Sequence, residues 1–126
     1  MNAAKAFRGA PVDVIVLDRK NHHVFQPLLY QVAAAALSPS DIASPIRWIL
    51  RAQDNVRVWL ADVTAIDRAR RVVVVDGDPG EVPYDYLIVA AGVTHAYFGH
   101  DEWRPHAPGL KTLEDALEIR ARVQRV

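Results

Sequence analysis

The chain contains no cysteine, which excludes a disulfide framework, a thiolate metal site and a redox dithiol within these residues. It has no long apolar run: no stretch approaches the roughly 20 apolar residues needed to cross a bilayer, and the N-terminus lacks the apolar core of a signal peptide. A cytoplasmic location is the expectation. Neither sign of charge is in excess. Fifteen basic residues cancel fifteen acidic ones, so no overall field draws the chain to nucleic acid or to an acidic membrane surface. The densest basic run, Arg68-Ala69-Arg70-Arg71, falls in an expected hairpin connection and reads as a solvated turn. Glycine is scarce near the start. Of the seventeen residues before Asp18 only Gly9 is glycine, so no glycine-rich phosphate-binding turn lies ahead of it. There is no internal repeat and no low-complexity segment.

What is present is 126 residues, 51% of them hydrophobic, enough to bury the core of one small domain. Asn2 to Arg8 is helix-compatible and is stopped by Gly9-Ala10-Pro11. Val12 to Leu17 is a branched apolar run that suits a parallel strand buried on both faces, ending at Asp18, with a loop over Arg19 to His23. Phe25 to Ala36, alanine-rich after Pro27, predicts a helix that Ser38-Pro39-Ser40-Asp41 breaks. Pro45 to Ala52 predicts a second short helix with Ile46, Ile49 and Leu50 on one face. Val56 to Ile66 and Val72 to Val75 read as strands, and Asp76 to Gly80 as a turn. Tyr86 to Gly92 predicts a further buried strand ending on small residues. Thr112, with Asp115 three positions on, predicts a capped C-terminal helix. This mixture argues for α/β.

Two features could carry chemistry. A carboxylate at the end of a buried parallel strand, as at Asp18, can accept both hydroxyl hydrogens of a nucleotide ribose; taken alone, such a residue is more often the start of a solvated loop. Small residues at a strand end, as at Ala90, Ala91 and Gly92, let a backbone approach a ligand closely, or simply let a strand pack tightly on a helix. The five histidines match no metal-ligand spacing: His22 and His23 point to opposite sides of an extended segment, and His95, His100 and His106 read as loop surface. Trp48, Trp59 and Trp103 read as packing residues.

Four ordered blocks resemble the type II NADH:quinone oxidoreductases, which are two-dinucleotide-binding-domain flavoproteins. They are Asp18 to Ala33 (DRKNHHVFQPLLYQVA), Leu37 to Ala43 with Pro45-Ile46-Arg47, Tyr84 to Gly92 with Thr94 to Trp103, and Ala107 to Ala116. The resemblance implies a partial Rossmann-like FAD-binding domain over residues 1–126, with parallel strands and an inserted antiparallel meander. It implies that Asp18 holds the adenosine ribose of FAD, that Arg19 lies beside the adenine, and that Val63 reads the adenine edge with its backbone amide and carbonyl. Gln26 would lie towards the flavin, and Ala90, Ala91 and Gly92 would match the family's Ala-Thr-Gly-type strand end beside the cofactor. Ala91 departs from that pattern by lacking a hydroxyl.

The family's Gly-x-Gly-x-x-Gly turn does not occur here; Met1 to Arg8 resembles the second half of the helix that follows it. The expectation is therefore an incomplete domain that binds FAD weakly or not at all, because backbone N–H groups at that helix start hold the pyrophosphate. NADH-binding and C-terminal quinone and membrane elements are also not among these residues. No residue present reads as an essential acid or base. The family reaction, hydride from NADH to FAD and electrons to a membrane quinone, implies a peripheral place on the inner face of the membrane for the whole protein. Two alternatives stand beside it: a sulfide:quinone reductase-like flavoprotein, and a non-catalytic interaction module, with homo-oligomers possible through open sheet edges.

Overall fold

A computed structural model describes residues 1–125. In chain order the elements are α1 (Asn2–Ala6), β1 (Val14–Asp18), β2 (His22–Val24), α2 (Leu29–Ala33), α3 (Pro39–Ile42), β3 (Ala43–Pro45), α4 (Ile46–Leu50), β4 (Val56–Leu60), β5 (Val63–Asp67), β6 (Val72–Val75), β7 (Glu81–Pro83) and α5 (Leu113–Val123), with single 3-10 turns at Gln26–Leu28 and Asp101–Trp103. Parallel and antiparallel pairing occur together, giving the expected mixed α/β architecture. The chain divides into two compact units, Met1–His23 with Pro45–Val89, and Val24–Ser44 with the segment from Ala90 onward.

In the first unit β1 and β4 pair in parallel, Val14 opposite Val56 through Asp18 opposite Leu60. Because side chains alternate along a strand, this ribbon presents two apolar faces. Val14, Val16, Val56 and Val58 pack with Ala4, Ile46 and Leu50 of α1 and α4. On the other face Ile15, Leu17 and Trp59 pack with Val73, Val75 and Val82 of the antiparallel meander β5-β6-β7. The branched run at Val12 to Leu17 predicts a strand buried on both faces; the strand forms from Val14, with apolar packing on both faces but its residues half-buried rather than fully covered, and Val12 is exposed. The entry to β4 is fixed by two amides. Buried Gln53 donates through Nε2 to the Ala4 carbonyl at 2.8 Å and to Asn55 Oδ1 at 3.0 Å. Asn55 Nδ2 in turn donates to the carbonyls of Phe7, Ala10 and Val12 at 2.9, 3.2 and 2.9 Å. These bonds satisfy the turn that Gly9-Ala10-Pro11 forces between α1 and β1.

In the second unit α2 and α5 bury Val32 and Ala116 completely, with Leu29, Ala33 and Ile42 nearly so. The helix cap is the one the sequence predicts. Asp115 N–H donates to Thr112 Oγ1 at 3.2 Å, and Asp115 Oδ2 accepts the N–H groups of Lys111 and Thr112 at 2.9 and 2.8 Å. Burial alone would push the Asp115 carboxyl up, but those N–H groups, the Thr112 hydroxyl and His95 outweigh it and hold the carboxyl below its ordinary value. A lowered folded-state pKa means that this stabilisation is complete above the unfolded value, near 4, and is lost as pH falls through the folded value. Asp115→Ala is expected to cost about 1–2 kcal/mol at neutral pH, with the gap to the parent closing below about pH 4; urea titrations at both pH values measure it.

Several sequence expectations are corrected. Tyr86 to Gly92 is not a strand: residues 87–97 have no regular structure, and Tyr86, Ile88 and Val89 are exposed. A strand exists only where a neighbour completes its ladder, and no described strand pairs with this segment. Ser38 starts a helix rather than ending one, since it and Asp41 form a reciprocal cap on α3. The helix expected to reach Ala36 stops at Ala33, where the backbone turns left-handed at Ala35, φ 61°. Val56 to Ile66 is two strands, broken at Ala61-Asp62 as pairing changes from β1 to β6. The expected loop at 19–23 contains the start of β2. Trp48 and Trp103 lie on the surface, Trp48 under Arg51 and Trp103 stacked on His100, so only Trp59 packs in a core.

Candidate functional site

Asp18 is the last residue of β1, at the C-terminal end of a parallel pair, where open α/β sheets bind ligands. Its side chain is half-buried, and Oδ1 accepts the Lys20 N–H at 2.8 Å, which turns the chain sharply after the strand. Its carbonyl accepts the Ala61 N–H at 3.1 Å, so the ends of β1 and β4 are locked together. Val63 follows two residues later, at most about 7 Å along the chain.

The backbone of Val63 is oriented by its ladder. Val63 stands opposite Val75, and the Asp76 N–H donates to the Asp62 carbonyl at 3.0 Å. In an antiparallel ladder that bond flanks a pair whose own peptide groups point away from each other. The Val63 N–H and C=O therefore face off the β5–β6 ladder, and no described residue bonds them. A second strap, Asp62 N–H to Asp76 Oδ1 at 2.6 Å, fixes the bend. Arg19 is exposed beside Asp18. The first unit thus brings together a strand-end carboxylate, an exposed guanidinium and one outward-facing peptide donor–acceptor pair, the groups needed for a ribose and the edge of a purine.

The remaining expected site residues belong to the second unit. Gln26 is exposed and its Nε2 donates to the Lys111 carbonyl at 3.3 Å, which ties the turn before α2 to the entry of α5. Ala90, Ala91 and Gly92 are exposed and irregular rather than buried at a strand end. Gly92 adopts φ 78°, a left-handed backbone that favours glycine.

His95 is half-buried, not on the loop surface. Its Nε2 lies 3.5 Å from Asp115 Oδ2, and a Cβ on Gly109 would fall on the His95 ring. A histidine fourteen residues ahead of its glycine gives no periodic signal, so nothing along the chain marks the contact. His100 pairs with Glu102 at 3.0 Å and His22 with Asn21 at 3.0 Å. Among the described residues no cluster of three or more metal-ligating side chains occurs, and no helix is long and apolar enough to cross a membrane.

Residues 1–125 match the sequence profile described as pyridine nucleotide-disulphide oxidoreductase. The chain belongs to that family. Two relatives from Mycobacterium tuberculosis, the type II NADH:quinone oxidoreductases Ndh and NdhA, are 50% and 53% identical to this family member over 125 residues. The alignments cover 98% of this chain and 27% of each relative, so the chain spans about a quarter of their length. Of solved structures, NDH2 from Plasmodium falciparum in complex with NADH superposes with a TM-score of 0.77 at 25% identity, covering 86% of this chain and 23% of that one. The sulfide:quinone oxidoreductase of Aquifex aeolicus gives 0.79 at 23% identity over 90% of this chain and 26% of its own, a likeness of fold alone. The resemblance to type II NADH:quinone oxidoreductases drawn from the four sequence blocks is thus supported across nearly the whole chain, and the partial Rossmann-like fold with it.

Proposed function

We propose that this chain is the adenosine-holding part of an FAD-dependent NADH:quinone oxidoreductase. The observation that carries the reading is the carboxylate of Asp18 at the C-terminal tip of a half-buried parallel strand, locked through Ala61 to the segment that turns the Val63 peptide groups outward. Asp18 would accept the ribose hydroxyls, the Val63 N–H and C=O would bond the adenine edge, and Arg19 would cover the ring face. Gln26 and the Ala90-Ala91-Gly92 segment would serve the flavin half. With its bond to Lys111, Gln26 has a positioning role there, holding the turn before α2.

In the whole protein, bound FAD supplies acceptance of hydride from NADH and electron delivery to a quinone, on a membrane surface; these residues supply binding and orientation only. The relatives at about half identity favour this substrate pair over sulfide, because the sulfide:quinone likeness rests on fold.

The residues fit the adenosine end of FAD, but no glycine-rich turn here supplies the backbone N–H cradle for the pyrophosphate, so FAD held by this chain alone is expected to be weak and lost on purification. The 126-residue chain should emerge colourless from size-exclusion chromatography after incubation with FAD. Flavin absorption co-eluting near 1:1 would show that tight binding does not need that cradle.

A further inference from the structure

Asp76 opens the stretch Asp76 to Gly80, which its composition marks only as a turn. The turn is closed by the Val75 N–H on the Gly80 carbonyl at 2.9 Å, and Gly77 takes φ 74°, which glycine adopts without strain. Asp76 therefore stands one residue past β6 on a short closed loop, facing Asp62, one residue ahead of β5. It holds Asp62 at both peptide groups. The Asp62 carbonyl accepts the Asp76 N–H at 3.0 Å, and the Asp62 N–H donates to Asp76 Oδ1 at 2.6 Å. The side chain takes the place that a backbone carbonyl fills in a regular ladder, and as a carboxylate it makes the stronger, charge-assisted bond.

The consequence reaches Val63 through covalent geometry. The Asp62 carbonyl and the Val63 N–H belong to one planar trans peptide unit and point in opposite directions. Whatever fixes that carbonyl on Asp76 fixes the Val63 N–H away from the meander. On the other side of Val63 the register shifts: Thr64 is an extra residue between the pairs Val63–Val75 and Ala65–Val74, a bulge that interrupts the ladder there. The Asp62–Asp76 pair is also the last of the ladder, where a single bond opens most readily. Two bonds from one residue keep it closed.

We infer that Asp76 is a positioning residue for purine recognition at Val63, and that its carboxylate sets a preference for adenine over hypoxanthine. The inference rests on the reading of Asp18 and Val63 as an adenosine site. The outward N–H and C=O of Val63 are one donor and one acceptor. Adenine answers them with its N1 acceptor and its N6 amino donor. Hypoxanthine presents N1–H and O6, the same two positions with the roles exchanged, so donor meets donor and acceptor meets acceptor. That rejection needs the peptide held in one orientation, because a peptide able to turn stops distinguishing the two bases.

AMP and IMP share their ribose and phosphate, so comparing them isolates the base. Amide-shift titrations of the 126-residue chain should give AMP a dissociation constant about tenfold below that of IMP. Asp76→Ala should bring the two within about twofold of each other, chiefly by weakening AMP, with the core shifts of Val73 and Val82 in place. The ratio is a readout that a general loss of stability does not move, and Asp76→Asn, which keeps an Oδ1 acceptor, should restore most of it. A preference undiminished in Asp76→Ala, with AMP binding still lost in Asp18→Asn, would overturn the inference and leave the adenosine reading standing. So would loss of the core shifts in Asp76→Ala, which would make Asp76 a folding residue. Absence of saturable AMP shifts at Asp18 and Val63 in the parent chain would overturn both.

Discussion

Val32→Asp is expected to unfold the second unit while leaving the β1–β4 ladder formed. Val32 has no solvent exposure and sits in a cluster made wholly of Leu29, Ala33, Ile42, Ala116 and their apolar neighbours. A carboxylate there has neither water nor a donor, a loss of about 3 kcal/mol or more. A unit of roughly 60 residues has a total stability of only a few kcal/mol, so the substitution removes most of it. Amide exchange read residue by residue checks the claim: protection should vanish over α2 and α5 and persist at Val16 and Trp59, whose N–H groups face each other's strand in the ladder. Loss of both sets together would mean that the units fold as one.

Asn55→Asp is expected to have the largest effect in the first unit. Asn55 Nδ2 is the common donor to three carbonyls, those of Phe7, Ala10 and Val12. Exchange of the amide for a carboxylate deletes the donor and faces negative charge towards three acceptors, at a cost of about 3 kcal/mol. Asn55→Ala deletes the bonds without adding repulsion and should cost about 1–2 kcal/mol. Denaturant midpoints for the pair measure the difference. If the aspartate variant is no less stable than the alanine variant, the three contacts do not hold the α1–β1 turn.

How far the fold could be read from the sequence depended on how local each determinant was. The strand ending at Asp18 was legible because apolar packing on both faces requires an unbroken branched run, and Val14-Ile15-Val16-Leu17 is one. The α5 cap was legible because Thr112 and Asp115 act within a single turn. Tyr86 to Gly92 misled for the opposite reason. Its composition is that of a central strand, but strand formation is a property of pairs, and composition carries no information about a neighbour. Ser38-Pro39-Ser40-Asp41 held both a breaker and a cap, and the reciprocal bonds of Ser38 and Asp41 decided for a helix.

The site followed the same rule. Asp18 could be named from its place at the end of a run, and the outward peptide groups of Val63 could be expected only through the family resemblance, because they depend on the Asp62–Asp76 straps across the meander. The His95–Gly109–Asp115 contact had no sequence signal. It is made by tertiary packing against α5, and no spacing along the chain encodes it.

The central claim is that the carboxylate of Asp18 receives a nucleotide ribose beside Val63. Amide chemical shifts of the 126-residue chain titrated with millimolar AMP test it most directly, since AMP carries the ribose and adenine without needing a pyrophosphate cradle. The account predicts saturable shifts centred on Asp18, Arg19 and Val63, which Asp18→Asn abolishes while the rest of the spectrum stays in place. Shifts that leave those three residues unmoved, or that survive Asp18→Asn undiminished, would contradict it.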